Sequence, residues 1–228
     1  MSGKLIVIEG LDGSGKATQT NLLCKYLTDN NISFTKLSYP NYDSPSSALV
    51  KMYLNGELAD TPDKVNPYAA AVFYAADRCA DFIKYHKEVY ENGGLFISDR
   101  YATSNAIYQT GKLKREDWDS YIDWLYDLEY RKLQIPEPDK VIYLDMSVEV
   151  SQKLLTARYN GNDSKKDIHE CNVDFLRQCR ETALYCARRL GWIVIKCDDG
   201  TSPKPIEEIA EKIREIVFED VQQGKFDN

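Results

Sequence analysis

Nine consecutive residues near the start of the chain, Gly10-Leu11-Asp12-Gly13-Ser14-Gly15-Lys16-Ala17-Thr18, have the types and spacing that hold phosphate. In such a loop glycines allow unusual backbone angles, successive N–H groups point at phosphate oxygens, and the following helix adds its positive N-terminus. Lys16 would bridge the β and γ phosphates of a bound triphosphate. The plain alternative is a Gly-rich turn with a solvated lysine. An apolar strand before the loop and an amphipathic helix after it argue for the phosphate reading. Two residues depart from the usual pattern. Ala17 stands where a Ser or Thr hydroxyl normally meets Mg²⁺, so either Thr18 or a water substitutes, carboxylates such as Asp12 and Asp99 hold the ion through water, or catalysis is impaired. We favour the carboxylates. Asp12 repels the anion that the loop surrounds, so it serves a sugar hydroxyl or a Mg²⁺-bound water, or else it stabilises the turn.

A second constellation lies at Ser98-Asp99-Arg100-Tyr101, directly after the apolar run Leu95 to Ile97. Ligands of parallel sheets bind beyond the carboxyl ends of strands, where Arg100 could grip phosphate with two parallel hydrogen bonds. A structural salt bridge at a strand end is the alternative. Upstream, Tyr74 and Arg78 stand at i and i+4 on one helix face, able to stack on a base and hold an anion, or to do no more than pack and snorkel.

These groups need a scaffold. The 228 residues are 43% hydrophobic and 11% aromatic, enough to build a core without disulfide stapling. Short apolar runs at Leu5 to Ile8, Ile32 to Leu37, Leu95 to Ile97, Val141 to Leu144 and Trp192 to Ile195 predict five strands of a parallel sheet. Helical patterns alternate with them: Leu22, Leu23, Tyr26 and Leu27 on one face, then Trp118, Tyr121, Ile122, Leu125 and Leu128 on another. This is the order of an α/β fold. Asn92-Gly93-Gly94 suits a helix C-cap, and Ser202-Pro203 suits the start of the last helix. No linker or repeat divides residues 1–228, so one domain is expected.

Composition excludes several classes. A net charge of −7 argues against a nucleic-acid coat, because such binding rests on surplus Lys and Arg. The longest apolar run, Ala69 to Ala76, is too short to span a bilayer, and the N-terminal apolar stretch is too short for a secretory signal, so a cytoplasmic protein is expected. The scattered cysteines and two histidines, His86 and His169, suggest reduced structural thiols, with a zinc site as the second reading.

Four segments together, IEGLDGSGKATQ, FYAADR, SDRYATSNAIYQ and PEPDKVIYLDMSVEV, resemble the thymidylate kinase family in that family's order and across nearly the whole chain. The resemblance implies a P-loop NTPase three-layer fold with a mobile lid, and transfer of the ATP γ-phosphoryl to dTMP with Mg²⁺. The P-loop would be residues 10–18, the acceptor segments 39–42, 73–78 and 98–109, and the lid about 158–170. By the same resemblance Arg78 and Arg100 bind the dTMP phosphate, Tyr74 stacks on thymine, and Ser104 with Asn105 reads the base edge. Tyr108 crowds the sugar 2′ position, and Asp12 holds the 3′-hydroxyl and Mg²⁺-linked water. A homodimer is also implied.

Two departures stand out. Tyr42 occupies the position where many relatives carry an acceptor-phosphate arginine, which shifts weight to Arg78, Arg100 and Lys51. Gly13 leaves the loop without an arginine, and for such a loop the resemblance implies that a lid cation among Arg158, Lys165 and Lys166 acts in transfer, Arg158 first. From Gln152 to Leu190 the chain has eight Lys and Arg against five Asp and Glu, a local cationic excess in an acidic protein. Competing readings are another nucleoside monophosphate kinase and a non-catalytic nucleotide sensor. A GTPase would need N-K-x-D, which the chain lacks.

Overall fold

The computed structural model describes residues 2–158 and 172–223. Strands β1 (Lys4–Gly10), β2 (Thr35–Ser38), β3 (Leu95–Asp99), β4 (Lys140–Asp145) and β5 (Ile193–Lys196) form a sheet in the order β2-β3-β1-β4-β5. Every pairing is parallel, with Ile8 beside Asp99, Gly10 beside Leu144 and Asp145 beside Lys196. Along β1 the side chains alternate between two cores, Leu5 and Val7 entering one and Ile6 and Ile8 the other. A strand buried on both faces reads as a continuous apolar run for this reason.

The helices are α1 (Lys16–Asp29), α2 (Ala48–Leu54), α3 (Pro67–Asp81), α4 (Lys87–Glu91), α5 (Ala102–Tyr108), α6 (Trp118–Tyr126), α7 (Val148–Arg158), α8 (Val173–Leu190) and α9 (Ile206–Gln223). Leu23 and Leu27 of α1 meet Ile209, Ile213 and Val217 of α9 over one sheet face. Over the other, α5 and α6 pack with α8 through Ile107, Tyr121, Leu125, Cys179 and Cys186. Burying one such Leu or Ile side chain stabilises by about 1.5–3 kcal/mol. The result is the three-layer architecture expected from the alternation of elements.

Two boundaries differ from expectation. Strand β2 begins at Thr35, because Asn31 takes φ 56 and closes α1 instead. Its N–H donates to Thr28 O at 3.0 Å and that of Ile32 to Leu27 O at 2.9 Å, so Ile32 is the apolar residue after a helix cap. Helix α9 begins three residues after Pro203, which instead bridges Asp198 across a turn that the Asp199 carboxylate ties to Thr201 and Ser202. The Asn92-Gly93 cap is present, with Gly93 at φ 89. Wide π turns at Phe82–His86 and Asp127–Lys132 extend α3 and α6.

Candidate active site

The strand order places both chemical segments at adjacent carboxyl ends, one after β1 and one after β3. The loop after β1 turns through Gly10, Gly13 and Gly15 at φ 158, 79 and 88. At Gly13 a Cβ would lie 2.6 Å from Ser151 O, so the loop seats against α7 only without a side chain there. Lys16 folds back, its Nζ donating to Leu11 O at 2.7 Å. Burial first and the charge of Arg100 second lower its pKa to about 8. Ser14 Oγ is buried without a hydrogen-bond partner among the described residues.

After β3, Arg100 adopts φ 65, a left-handed conformation in which non-glycine residues carry strain and which gathers at functional sites. Its guanidinium ion-pairs with Asp12 and stands 3.7 Å from Glu9. Burial works against this charge, but Asp12, Tyr108 and Glu9 overcome it and hold the pKa well above the usual value. Tyr108 Oη donates to Asp12 at 2.8 Å, so Asp12 is held from two sides. Ser104 Oγ donates to the Glu9 carboxylate at 2.9 Å and accepts from Arg100 at 3.3 Å.

Arg78 lies deeper, almost fully buried. Its Nη2 pairs with Glu129 Oε1, and its Nε donates to Oε2 at 3.4 Å. Burial opposes its charge and Glu129 more than restores it. Asn105 Nδ2 donates to Ala71 O at 3.2 Å and to Glu129 Oε1 at 3.4 Å. Tyr74 packs edge-on to the buried Tyr53, ring centres 6.2 Å apart.

These residues converge. Asp12, Tyr74, Arg78, Arg100, Ser104, Asn105 and Tyr108 all line one pocket of about 530 Å³. The loop from Asp12 to Thr18, with Asp99 and Arg100, lines an adjoining cleft of about 1700 Å³ that continues past Leu154, Pro203, Lys204 and Ile206. Asp12, Tyr39, Pro40, Tyr42 and Arg100 form the wall common to both. Leu11 is core, and Gly10 lies beneath the loop with Leu144 O at its back. Lys51 is exposed and lines neither cavity. The backbone of Arg158 ends α7, but its side chain, like all of Lys165, Lys166 and His169, lies outside the described residues.

No group of three or more His, Cys, Asp or Glu gathers to hold a metal among the described residues. A Mg²⁺ that arrives with phosphate oxygens and water needs little more than one nearby carboxylate. Asp99 fits, since it lines the large cleft and has no ion-pair partner among the described residues, whereas Asp12 is engaged by Arg100 and Glu9 is sealed. Thr18 is exposed in the same cleft and Ala17 offers no ligand.

Glu9 and Glu129, both fully buried, are the parts that sequence reasoning missed. Each had a signal: Glu9 interrupts an apolar strand immediately before the loop, and Glu129 falls four residues after Leu125 on the apolar helix face. A carboxylate in either place needs a cationic or hydrogen-bonding partner.

Comparison with known proteins points to one family. A family model described as thymidylate kinase matches residues 8–213. The chain is 30% identical over 226 residues to a probable thymidylate kinase of Thermococcus gammatolerans, covering 97% of this chain and 99% of the relative. It is 28% identical to a thymidylate kinase of Plasmodium falciparum, covering 98% and 94%. A solved thymidylate kinase of Candida albicans shares the fold at a TM-score of 0.69 and 20% identity, over 96% of this chain and 92% of that one.

Proposed function

The chain belongs to the thymidylate kinase family, and from that membership we propose how its residues divide the work of phosphorylating dTMP to dTDP with ATP. One observation carries the proposal: the donor cleft and the acceptor pocket share a wall at Asp12 and Arg100. ATP occupies the larger cleft, with its phosphates over residues Gly10 to Thr18, and dTMP the smaller pocket. Both phosphates then meet at the shared wall.

Transfer of this kind asks for positioning and charge neutralisation, with little covalent chemistry from the protein. Lys16 leaves Leu11 O to hold the β and γ phosphates, and the loop N–H groups hold the rest. Arg100 holds the acceptor phosphate, which is ionised at neutral pH and needs no general base. Asp12 takes the 3′-hydroxyl of the sugar, Tyr108 closes the space at its 2′ position, and Tyr74 stacks on the base. Sequence reasoning puts both arginines on the phosphate, but the structure supports a different role for Arg78. Arg100 stands close enough to Lys16 to lower its pKa, whereas Arg78 shares Glu129 with Asn105. We therefore assign Arg78 and Asn105 to the base edge, with Ser104 joining Glu9 to Arg100. Arg158 closes over the transferring group.

Asp99, through water, and Thr18 would hold a Mg²⁺ that arrives with the ATP phosphates, and the ion would supply charge neutralisation there. The protein acts as one domain in the cytoplasm. No helix among the described residues is long and apolar enough to cross a membrane. Val72, Ile83, Tyr85 and Val89 are exposed along α3 and its continuation, and we assign this apolar strip to a homodimer contact.

An acceptor panel tests the proposal. With ATP and Mg²⁺, kcat/KM for dTMP should exceed that for dCMP and GMP at least a hundredfold, with dUMP between. Comparable rates on all four, or ATP binding with no transfer, would overturn it.

A further inference from the structure

Glu129 has no part in the transfer just described, yet it is fully buried inside the wide π turn Asp127–Lys132, a kind of distortion frequent at functional sites. Its carboxylate receives Arg78 Nε and Nη2, and the same oxygen that takes Nη2 also takes Asn105 Nδ2. Ala71 O is the second acceptor for that nitrogen. Two acceptors thus bracket one end of the Asn105 amide. Turned over, the amide would set Oδ1 against a carboxylate and a carbonyl with no hydrogen to share, so hydrogen bonding alone decides its orientation. Oδ1 is left as the atom with no hydrogen bond among the described residues, in a residue that lines the acceptor pocket.

The consequence is chemical. Thymine and uracil show an N3–H donor beside the O4 acceptor, while cytosine shows an N3 lone pair beside an amino group. An asparagine locked with its oxygen outward, next to a guanidinium that only donates, matches the first edge and opposes the second. We propose that Glu129 is a positioning residue that sets this polarity, locking Asn105 and the Arg78 fork so that the pocket selects pyrimidines bearing N3–H. The inference rests on the base-edge roles given above to Asn105 and Arg78.

Glu129→Gln tests it, because a neutral amide of the same shape can itself donate and no longer forces the Asn105 orientation. With fold verified by a cooperative thermal melt, kcat/KM for dCMP relative to dTMP should rise at least tenfold, chiefly through a higher dTMP KM, while the KM for ATP stays within twofold. A role in folding alone would depress both acceptors together and leave their ratio unchanged, which overturns the inference. If Glu129→Gln does not fold, Glu129→Asp decides: it keeps the charge but withdraws the carboxylate from Asn105, and the same ratio should rise. Asn105→Ala separates the two levels. If it leaves the ratio unmoved, the base-edge reading falls and this inference with it. If it raises the ratio while neither Glu129 variant does, the positioning role of Glu129 alone is wrong.

Discussion

Asp12 and Arg100, 88 residues apart in the chain, are ion-paired across the wall between the two cavities, with side chains 22% and 17% exposed. The cation proposed to hold the acceptor phosphate is thus answered by a carboxylate of the loop after β1. If the acceptor phosphate docks on Arg100 as proposed, it must displace or share that carboxylate, which would couple the two sites electrostatically.

Asp12→Asn should therefore separate binding from transfer. With Arg100 released, the KM for dTMP should change by less than about threefold, while loss of the sugar contact lowers kcat at least tenfold. Steady-state kinetics at saturating ATP would check this, and an unchanged kcat would remove Asp12 from the transfer step.

Affinity for ATP should depend on the Lys16 proton. Burial lowers the Lys16 pKa to about 8, so it is charged below that pH and loses charge above it. A bound triphosphate favours the ammonium and raises the pKa again. The ATP Kd should be flat below pH 8 and rise above it, approaching tenfold per pH unit, with proton uptake on binding. Titration calorimetry in buffers of different ionisation enthalpy measures that uptake, and Lys16→Met should abolish the slope.

At the end of α7, Arg158→Ala should lower kcat by well over tenfold with dTMP affinity nearly unchanged, since an arginine finger is worth about 10³–10⁵ in rate in related chemistry. Single-turnover kinetics with labelled ATP would measure it. Should Lys165→Ala or Lys166→Ala show the larger loss, the role passes to that lysine.

Gly13→Ala places a Cβ at φ 79, 2.6 Å from Ser151 O and 2.9 Å from Leu155 Cγ. A backbone carbonyl cannot swing aside, so we expect a loss of about 1–3 kcal/mol in denaturant melts and a raised KM for ATP. Stability equal to the parent would mean that the loop does not seat on α7.

If Asp99 is the carboxylate that serves Mg²⁺, Asp99→Asn should raise the Mg²⁺ concentration for half-maximal rate more than tenfold. Ala17→Ser should move it less than threefold. The reverse order would show that the loop hydroxyl matters more than the carboxylate, and chelation should abolish turnover in every variant.

Much of the fold and site was readable in advance, for identifiable reasons. The strand runs at Leu5, Leu95 and Val141 are apolar on both faces, so their burial needed no knowledge of neighbours. Loop and arginine segments sit next to those strands in sequence, which made their positions local information. Ile32 misled because an apolar residue looks the same in a strand and after a helix cap, and only the αL turn at Asn31 distinguishes them. Pro203 misled likewise, since the Lys204 N–H that a cap at Ser202 would have taken donates instead to Cys197 O, and Pro205 has no N–H to offer. Glu129 and Arg78 are 51 residues apart, and no periodicity links them.

The placement of β3 directly beside β1 has a mechanical consequence. Neighbouring strands are held about 4.8 Å apart by their ladder, and Ile8 and Asp99 are register partners one residue or two before the chemical loops begin. The span from donor loop to acceptor arginine is thus gauged by one inter-strand step of a rigid sheet. It cannot stretch or contract without breaking hydrogen bonds in the centre of the molecule. Any tightening of the site during turnover must therefore come from parts outside the ladder, which allows the chemistry to be tuned from the rim while the distance at its centre stays constant.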